Sequence, residues 1–138
     1  MKIVDTSALL AYFNTADPNH ERAAREFSEV SEKLVVSPFV VAELDYMIST
    51  RVGPMAALAA LDELTSAAYV LAPIEADDLA KCREVIERFD GLDIGVTDAS
   101  LVVLADRHST RRIMTFDLRH FSVLRSADGQ AFELLPTV

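Results

Sequence analysis

The sequence predicts an α/β fold in which a parallel sheet is covered by helices on both faces. Three observations lead there. Short, continuously apolar runs alternate with segments of helical periodicity, the order that produces parallel strands joined by crossover helices. One helical segment, Val96 to Arg107, is nearly all apolar in its middle and so belongs inside. Four acids stand beside apolar runs: Asp5 after Lys2-Ile3-Val4, Glu43 after Phe39-Val40-Val41-Ala42, Asp98 before Ala99 to Leu104, and Asp117 after Ile113-Met114-Thr115-Phe116. A strand buried on both faces reads as such a run, and an acid at its C-terminal end faces the crevice where open α/β sheets bind ligands.

The elements follow in order. Lys2 to Val4 reads as a short buried strand. Asp5-Thr6-Ser7 offers cap-type residues before a helix over Ala8 to Phe13. Asp17-Pro18 suits the cap and first position of a second helix, whose apolar face is Ala23, Ala24, Phe27 and Val30. Leu34 to Val36 is the second strand. Ser37-Pro38 repeats the cap-plus-proline signal for a helix to about Thr50, and after Gly53-Pro54 another helix covers Met55 to Thr65. Tyr69 to Leu71 is a third strand, followed by a long helix from Ile74 to Phe89 with a polar outer face. Asp90 to Gly95 forms a loop before the buried helix. Arg112 to Phe116 is a fourth strand and Ala131 to Leu135 a fifth, at the edge. With 138 residues, no repeat and no long linker, a single domain over residues 1–138 is expected.

Composition narrows the function. The net charge is −9, so the molecule as a whole does not attract nucleic acid. The charge is uneven: residues 1–100 hold eight basic and eighteen acidic side chains, residues 101–138 five and four. Arg107, Arg111, Arg112, Arg119 and Arg125 are the one local basic concentration and could approach phosphates. Cys82, the only cysteine, sits among apolar neighbours and reads as inert core. No zinc-type cysteine spacing or glycine-rich phosphate loop is present. No signal peptide and no run of roughly 18 apolar residues is found, so a cytoplasmic location is expected.

The acids carry the chemistry. Singly, Asp5 suits a helix cap, Asp98 a helix first turn where the macrodipole favours an acid, and Asp117 a turn. Glu43 lies among apolar residues and is expected to be a buried carboxylate needing a strong partner. Together they are better explained as converging. Converging carboxylates raise one another's pKa unless a cation holds them ionised, and oxygen-only ligands favour Mg²⁺ or Mn²⁺. Metal-assisted attack on a phosphodiester is the usual consequence. Thr6, Thr97 and Thr115 add hydroxyls beside three of the acids, as caps or as supporting donors. Asp93 has a smaller claim to the site. His20, His108 and His120 have no metal-ligand spacing to another histidine or cysteine, so no histidine base is invoked; His120, between Arg119 and Phe121, could contact phosphate or merely pack.

These residues resemble a family. Val4-Asp5-Thr6-Ser7-Ala8-Leu9-Leu10, Val41-Ala42-Glu43-Leu44, Gly95-Val96-Thr97-Asp98-Ala99 and Thr115-Phe116-Asp117, in this order and spacing, look like a PIN domain of the VapC toxin type. The resemblance covers essentially the whole chain. It implies a three-layer α/β/α sandwich with a five-stranded parallel sheet. It also implies a ribonuclease whose acids bind Mg²⁺ or Mn²⁺. Carried over by position, Asp5, Glu43 and Asp98 match the three core acids and Asp117 the more variable fourth, with Thr6 and Thr115 as hydroxyl neighbours. It implies a homodimer and a small VapB-type antitoxin as partner. In this reading the C-terminal arginines, Arg112 and Arg119 in particular, position the RNA. Two other readings remain: an aspartyl-phosphate phosphatase or phospho-acceptor with Asp5 as nucleophile, and a non-catalytic domain that keeps only the fold. The phosphatase pattern wants a second Asp where Ser7 stands and a lysine after the fourth strand, whereas the last lysine is Lys81.

Overall fold

The computed structural model describes residues 1–137. The elements are β1 (Lys2–Val4), α1 (Thr6–Phe13), α2 (His20–Ser28), β2 (Leu34–Val36), α3 (Pro38–Arg51), α4 (Pro54–Leu64), β3 (Tyr69–Leu71), α5 (Ala76–Arg88), α6 (Val96–Arg107), β4 (Arg112–Met114), α7 (Leu118–Phe121) and β5 (Glu133–Leu135). The five strands form one parallel sheet in the order β3-β2-β1-β4-β5. β1 is central, with Ile3 in register with Val35 on one side and Ile113 on the other. The chain builds outward from β1 through β2 and β3, then returns to its other side as β4. That reversal opens a crevice at the carboxyl ends of β1 and β4.

Neighbouring residues of a strand point to opposite faces. Ile3 and Val4 are both fully buried, as are Val35 and Val36 of β2 and Ile113 and Met114 of β4. The sheet is therefore covered on both faces, as the apolar runs predict. α6 is buried without interruption from Ala99 to Ala105 and packs against β1. α5 buries only a stripe on α6, with Cys82 against Ala99 and Val103.

Several boundaries differ from the sequence reading, each for a local reason. α2 starts at His20, not Pro18. The Asp17 carboxylate accepts from Asn19 N at 2.8 Å, so Asp-Pro makes a turn before the helix rather than its first residues. α1 starts two residues early, at Thr6, and α5 starts at Ala76, behind a capping box of Glu75 and Asp78. β4 stops at Met114 because side chains take over its backbone donors: Phe116 N donates to Ser7 Oγ at 2.9 Å and Asp117 N to Thr115 Oγ1 at 2.9 Å. The turn after Asp117 is a short helix, and β5 is confined to Glu133–Leu135.

Candidate active site

Four elements deliver the acids to one place. Asp5 follows β1, Glu43 lies in the second turn of α3, Asp98 in the first turn of α6, and Asp117 caps α7 after β4. A buried hydroxyl pair ties two of these helix starts together. Ser37, the cap of α3, lies 2.8 Å from Ser100 Oγ, and Ser100 donates to Thr97 O in the first turn of α6. All four acids line a cleft of about 450 Å³ with Thr6, Ser7, Met47, Phe116, Asp17, Arg51 and His120. That makes five carboxylates and one arginine. Among the described residues, no lysine or arginine ion pair reaches Asp5, Glu43, Asp98 or Asp117.

Asp5 is not a side-chain cap. Its backbone stands at the cap position of α1, but the carboxylate makes no capping bond. Instead Oδ2 accepts from Ser7 Oγ at 2.7 Å and from Thr115 Oγ1 at 2.8 Å. Only 4% of Asp5 is exposed. Burial raises its pKa, opposed by the bonds from Ser7, Thr115 and the Thr6 backbone, while the Asp117 charge pushes it further up. Asp98 is pushed up to about 6, first by burial and then by the charge of Asp5, with Asp117 and Glu43 adding to the rise and His120 opposing it. Asp5 and Asp98 would each ionise more readily if a cation stood beside them.

Some site expectations need correction. Glu43 is exposed, not buried. The stripe that α3 buries is Val40, Leu44 and Ile48, spaced by four. Glu43 lies off that stripe and faces the cleft rim. Thr6 is buried, but its Oγ1 has no partner. Ser7 supports Asp5 in its place, a local i to i+2 pattern that Asp-Thr-Ser carries in the sequence. Thr115 does bond Asp5. Thr97 is not the cap of α6; Gly95 occupies that position. Asp93 sits in a left-handed turn (φ 62°), is exposed and does not line the cleft.

The basic concentration disperses. Arg112 is at the start of β4, the opposite end of the sheet, 2.6 Å from Glu32 and 3.8 Å from Glu133. Arg107 pairs with Asp78 at 2.8 Å, Arg111 donates to Gln130, and Arg125 donates to the carbonyls of Ser122, Val123 and Leu124. Arg119 is exposed on α7, beside His120 but outside the cleft wall. The arginine that lines the cleft is Arg51, at the end of α3, which sequence reasoning passed over. His120 was missed as well. Its Nδ1 lies 2.8 Å from Asp117 Oδ2 and 3.4 Å from Asp98 Oδ2. The signal was the i, i+3 spacing of Asp117 and His120, which puts both on one side of a helical turn.

The fold and cleft agree with a known family, whose sequence profile, the PIN domain, matches residues 2–125. The chain belongs to the PIN domain family. It is 47% identical over 134 residues to Ribonuclease VapC26 of Mycobacterium tuberculosis, covering 97% of this chain and 99% of that protein. Among solved structures, VapC20 of the same organism, described as a Sarcin-Ricin loop cleaving toxin, superposes with a TM-score of 0.81 at 25% identity. That superposition covers 85% of this chain and 90% of VapC20. VapBC2 from Rickettsia felis, solved bound to a DNA fragment from its promoter, reaches 0.66 at 18% identity over 96% and 97% of the two chains. That likeness extends the PIN fold and nothing more. As a VapC homologue the chain is a nuclease of the PIN type.

Proposed function

We propose that this PIN protein is a divalent-metal-dependent endoribonuclease of a single domain, the toxin of a VapBC-type pair. The observation that carries the reading is the cleft at the carboxyl ends of β1 and β4. It gathers Asp5, Glu43, Asp98 and Asp117 with, among the described residues, no lysine or arginine ion pair to neutralise them. The donors fit a hard cation. They are carboxylate oxygens, and the unpartnered Thr6 hydroxyl beside them is suited to a metal-bound water. Mg²⁺ or Mn²⁺ held by these acids would neutralise phosphate charge and supply a water acidic enough to attack near neutral pH.

The chain's own residues do the rest. Ser7 and Thr115 fix Asp5 by two donated hydrogen bonds to one oxygen, Oδ2. Asp117 Oδ1 accepts from His120 N at 3.2 Å, which fixes that carboxylate on its turn. Arg51 in the cleft and Arg119 at its margin are suited to the RNA backbone. The acidic surroundings favour an RNA chosen by shape over tight non-specific binding. The phospho-acceptor reading lacks support, since among the described residues no lysine lines the cleft, and Asp5 is nearly fully enclosed.

A small VapB-type antitoxin and a second copy of the chain are the partners this reading implies, in the cytoplasm. Tyr46, Met55 and Leu58 on α3 and α4 are 70%, 78% and 58% exposed, apolar surface available to either. Incubation of the purified protein with total RNA, with Mg²⁺ or Mn²⁺ against EDTA, tests the activity. Discrete new RNA ends that appear only with metal support the proposal, and intact RNA under all conditions overturns it. Co-purification with the product of an adjacent small reading frame tests the partner.

A further inference from the structure

The carboxylates of the cleft do not act alone. Asp98, Asp117 and His120 each offer one ligand atom, and these atoms lie within 4.8 Å of one another. The imidazole Nδ1 is hydrogen-bonded to Asp117 Oδ2 at 2.8 Å and lies 3.4 Å from Asp98 Oδ2, and a cation among the three would take the place of the shared proton. Adjacent donors of an octahedral cation, with bonds of roughly 2.1 Å, stand roughly 3 Å apart. The two separations bracket that spacing. The ring is also held in place. Asp117 caps α7 through Oδ1 and presents Oδ2 to the cleft, and the same turn carries His120 into the wall. Its side chain is 18% exposed. A second feature of this cleft points to a ligand: Thr6 Oγ1, on a residue only 3% exposed, has no hydrogen-bond partner.

We infer that His120 is a nitrogen ligand to a cation shared with Asp98 and Asp117, and that it makes this position selective for Mn²⁺ over Mg²⁺. The inference rests on the metal-dependent reading above. Mg²⁺ takes oxygen donors and holds its waters tightly. Mn²⁺ is the weakest binder of the first-row series and also favours oxygen, but as a transition-metal ion it gains more from an imidazole than Mg²⁺ does. The two carboxylates on their own would separate the two ions far less. The neutral imidazole completes a mixed set in which one ligand rewards only the softer ion.

The test uses Mn²⁺ alone as probe. Pulsed electron paramagnetic resonance on the wild-type protein with stoichiometric Mn²⁺ should show ¹⁴N coupling, converted to ¹⁵N coupling when the protein is grown with ¹⁵N-histidine. Neither His20 nor His108 lines the cleft, so neither competes for this signal. In His120→Gln, Mn²⁺ should still bind, about tenfold more weakly and without the nitrogen signal, while Mg²⁺ affinity changes less than about twofold. The wild-type measurement stands even if the variant folds poorly. Bound Mn²⁺ with no nitrogen coupling, or coupling that survives in a folded His120→Gln, overturns the inference and leaves metal-dependent cleavage standing. Failure of wild type to bind either ion overturns both.

Discussion

The two ends of the sheet use the same residue types to opposite effect. At the amino ends of the strands lies the larger cavity, about 960 Å³, whose wall carries four acids and four bases: Asp78, Glu84, Asp106 and Asp128 with Lys81, Arg88, Arg107 and Arg111. Nearby, Glu32 meets the chain amine at 2.7 Å and Arg112 at 2.6 Å. At the carboxyl ends a smaller cleft holds five acids and one arginine. Acidity moves accordingly. Glu32 is held below the usual carboxylate range, chiefly by its bond to the amine, and Asp78 by the Glu75 backbone and then Arg107. Asp5 and Asp98 are pushed up, chiefly by burial. Size does not mark the site; uncompensated charge does. A fold tolerates such charge at one end when a ligand is there to offset it.

The strongest way to break this contrast is Asp5→Asn. It keeps the shape and removes one charge from the cleft. Loss of a supporting partner alone costs about 10–100-fold in such sites, so cleavage should fall by more than about 100-fold. The melting temperature in EDTA should hold or rise as repulsion is relieved. Full cleavage by the variant would detach Asp5 from the chemistry.

Metal and pH test the same point without mutation. A cation at about 100 times its dissociation constant should add about 2.7 kcal/mol to the native state. In EDTA the sign of the pH dependence follows from Asp98, whose folded value is about 6 against an ordinary 3.8. The folded protein keeps a proton that the unfolded chain has already released. Stability is therefore greatest at low pH on this account and is lost as pH rises from about 4 to 6. Saturating Mn²⁺ should flatten that slope. Melts across this range that are equal with and without metal would contradict an over-charged cleft.

Glu43 sharpens the comparison, because it is exposed and yet belongs to the cleft. Glu43→Gln should lower cleavage about tenfold while shifting stability by no more than about 0.5 kcal/mol. A large loss of stability would show a structural pair that the geometry does not contain. The smallest effect belongs to the other end of the sheet. Arg112 and Glu32 are 42% and 32% exposed, so Arg112→Ala should cost about 0.2–1 kcal/mol. RNA binding and its salt slope should not change; a slope lower by about 0.7 would mean that Arg112 touches phosphate after all.

Much of this was legible beforehand. The strands follow from apolar runs, because only a strand covered on both faces needs every residue apolar. The acids follow from the strand ends, because parallel strands send all their carboxyl ends to one edge. Asp5 and Asp117 stand after strands and Asp98 and Glu43 near helix starts, each beside an apolar run legible in the sequence, and the structure brings all four into one cleft. Glu43 was misjudged in its burial. Its neighbours in sequence are apolar, but the contact stripe of α3 is set by Val40, Leu44 and Ile48 against the core.

The sequence by itself determined the strand and helix order, the parallel sheet and the positions of the acids, since these depend on periodicity and chain direction. Only the tertiary structure decided which hydroxyl supports Asp5, which arginines remain for a ligand, and that His120 stands between Asp98 and Asp117. Those outcomes turn on a rotation of one residue about a helix or on a partner a hundred positions away. Thr6 and Ser7 are equivalent as letters, yet adjacent helical residues point about 100° apart. Arg112 and Arg119 are equivalent as charges, yet one starts a strand and the other follows it, and the sheet separates them.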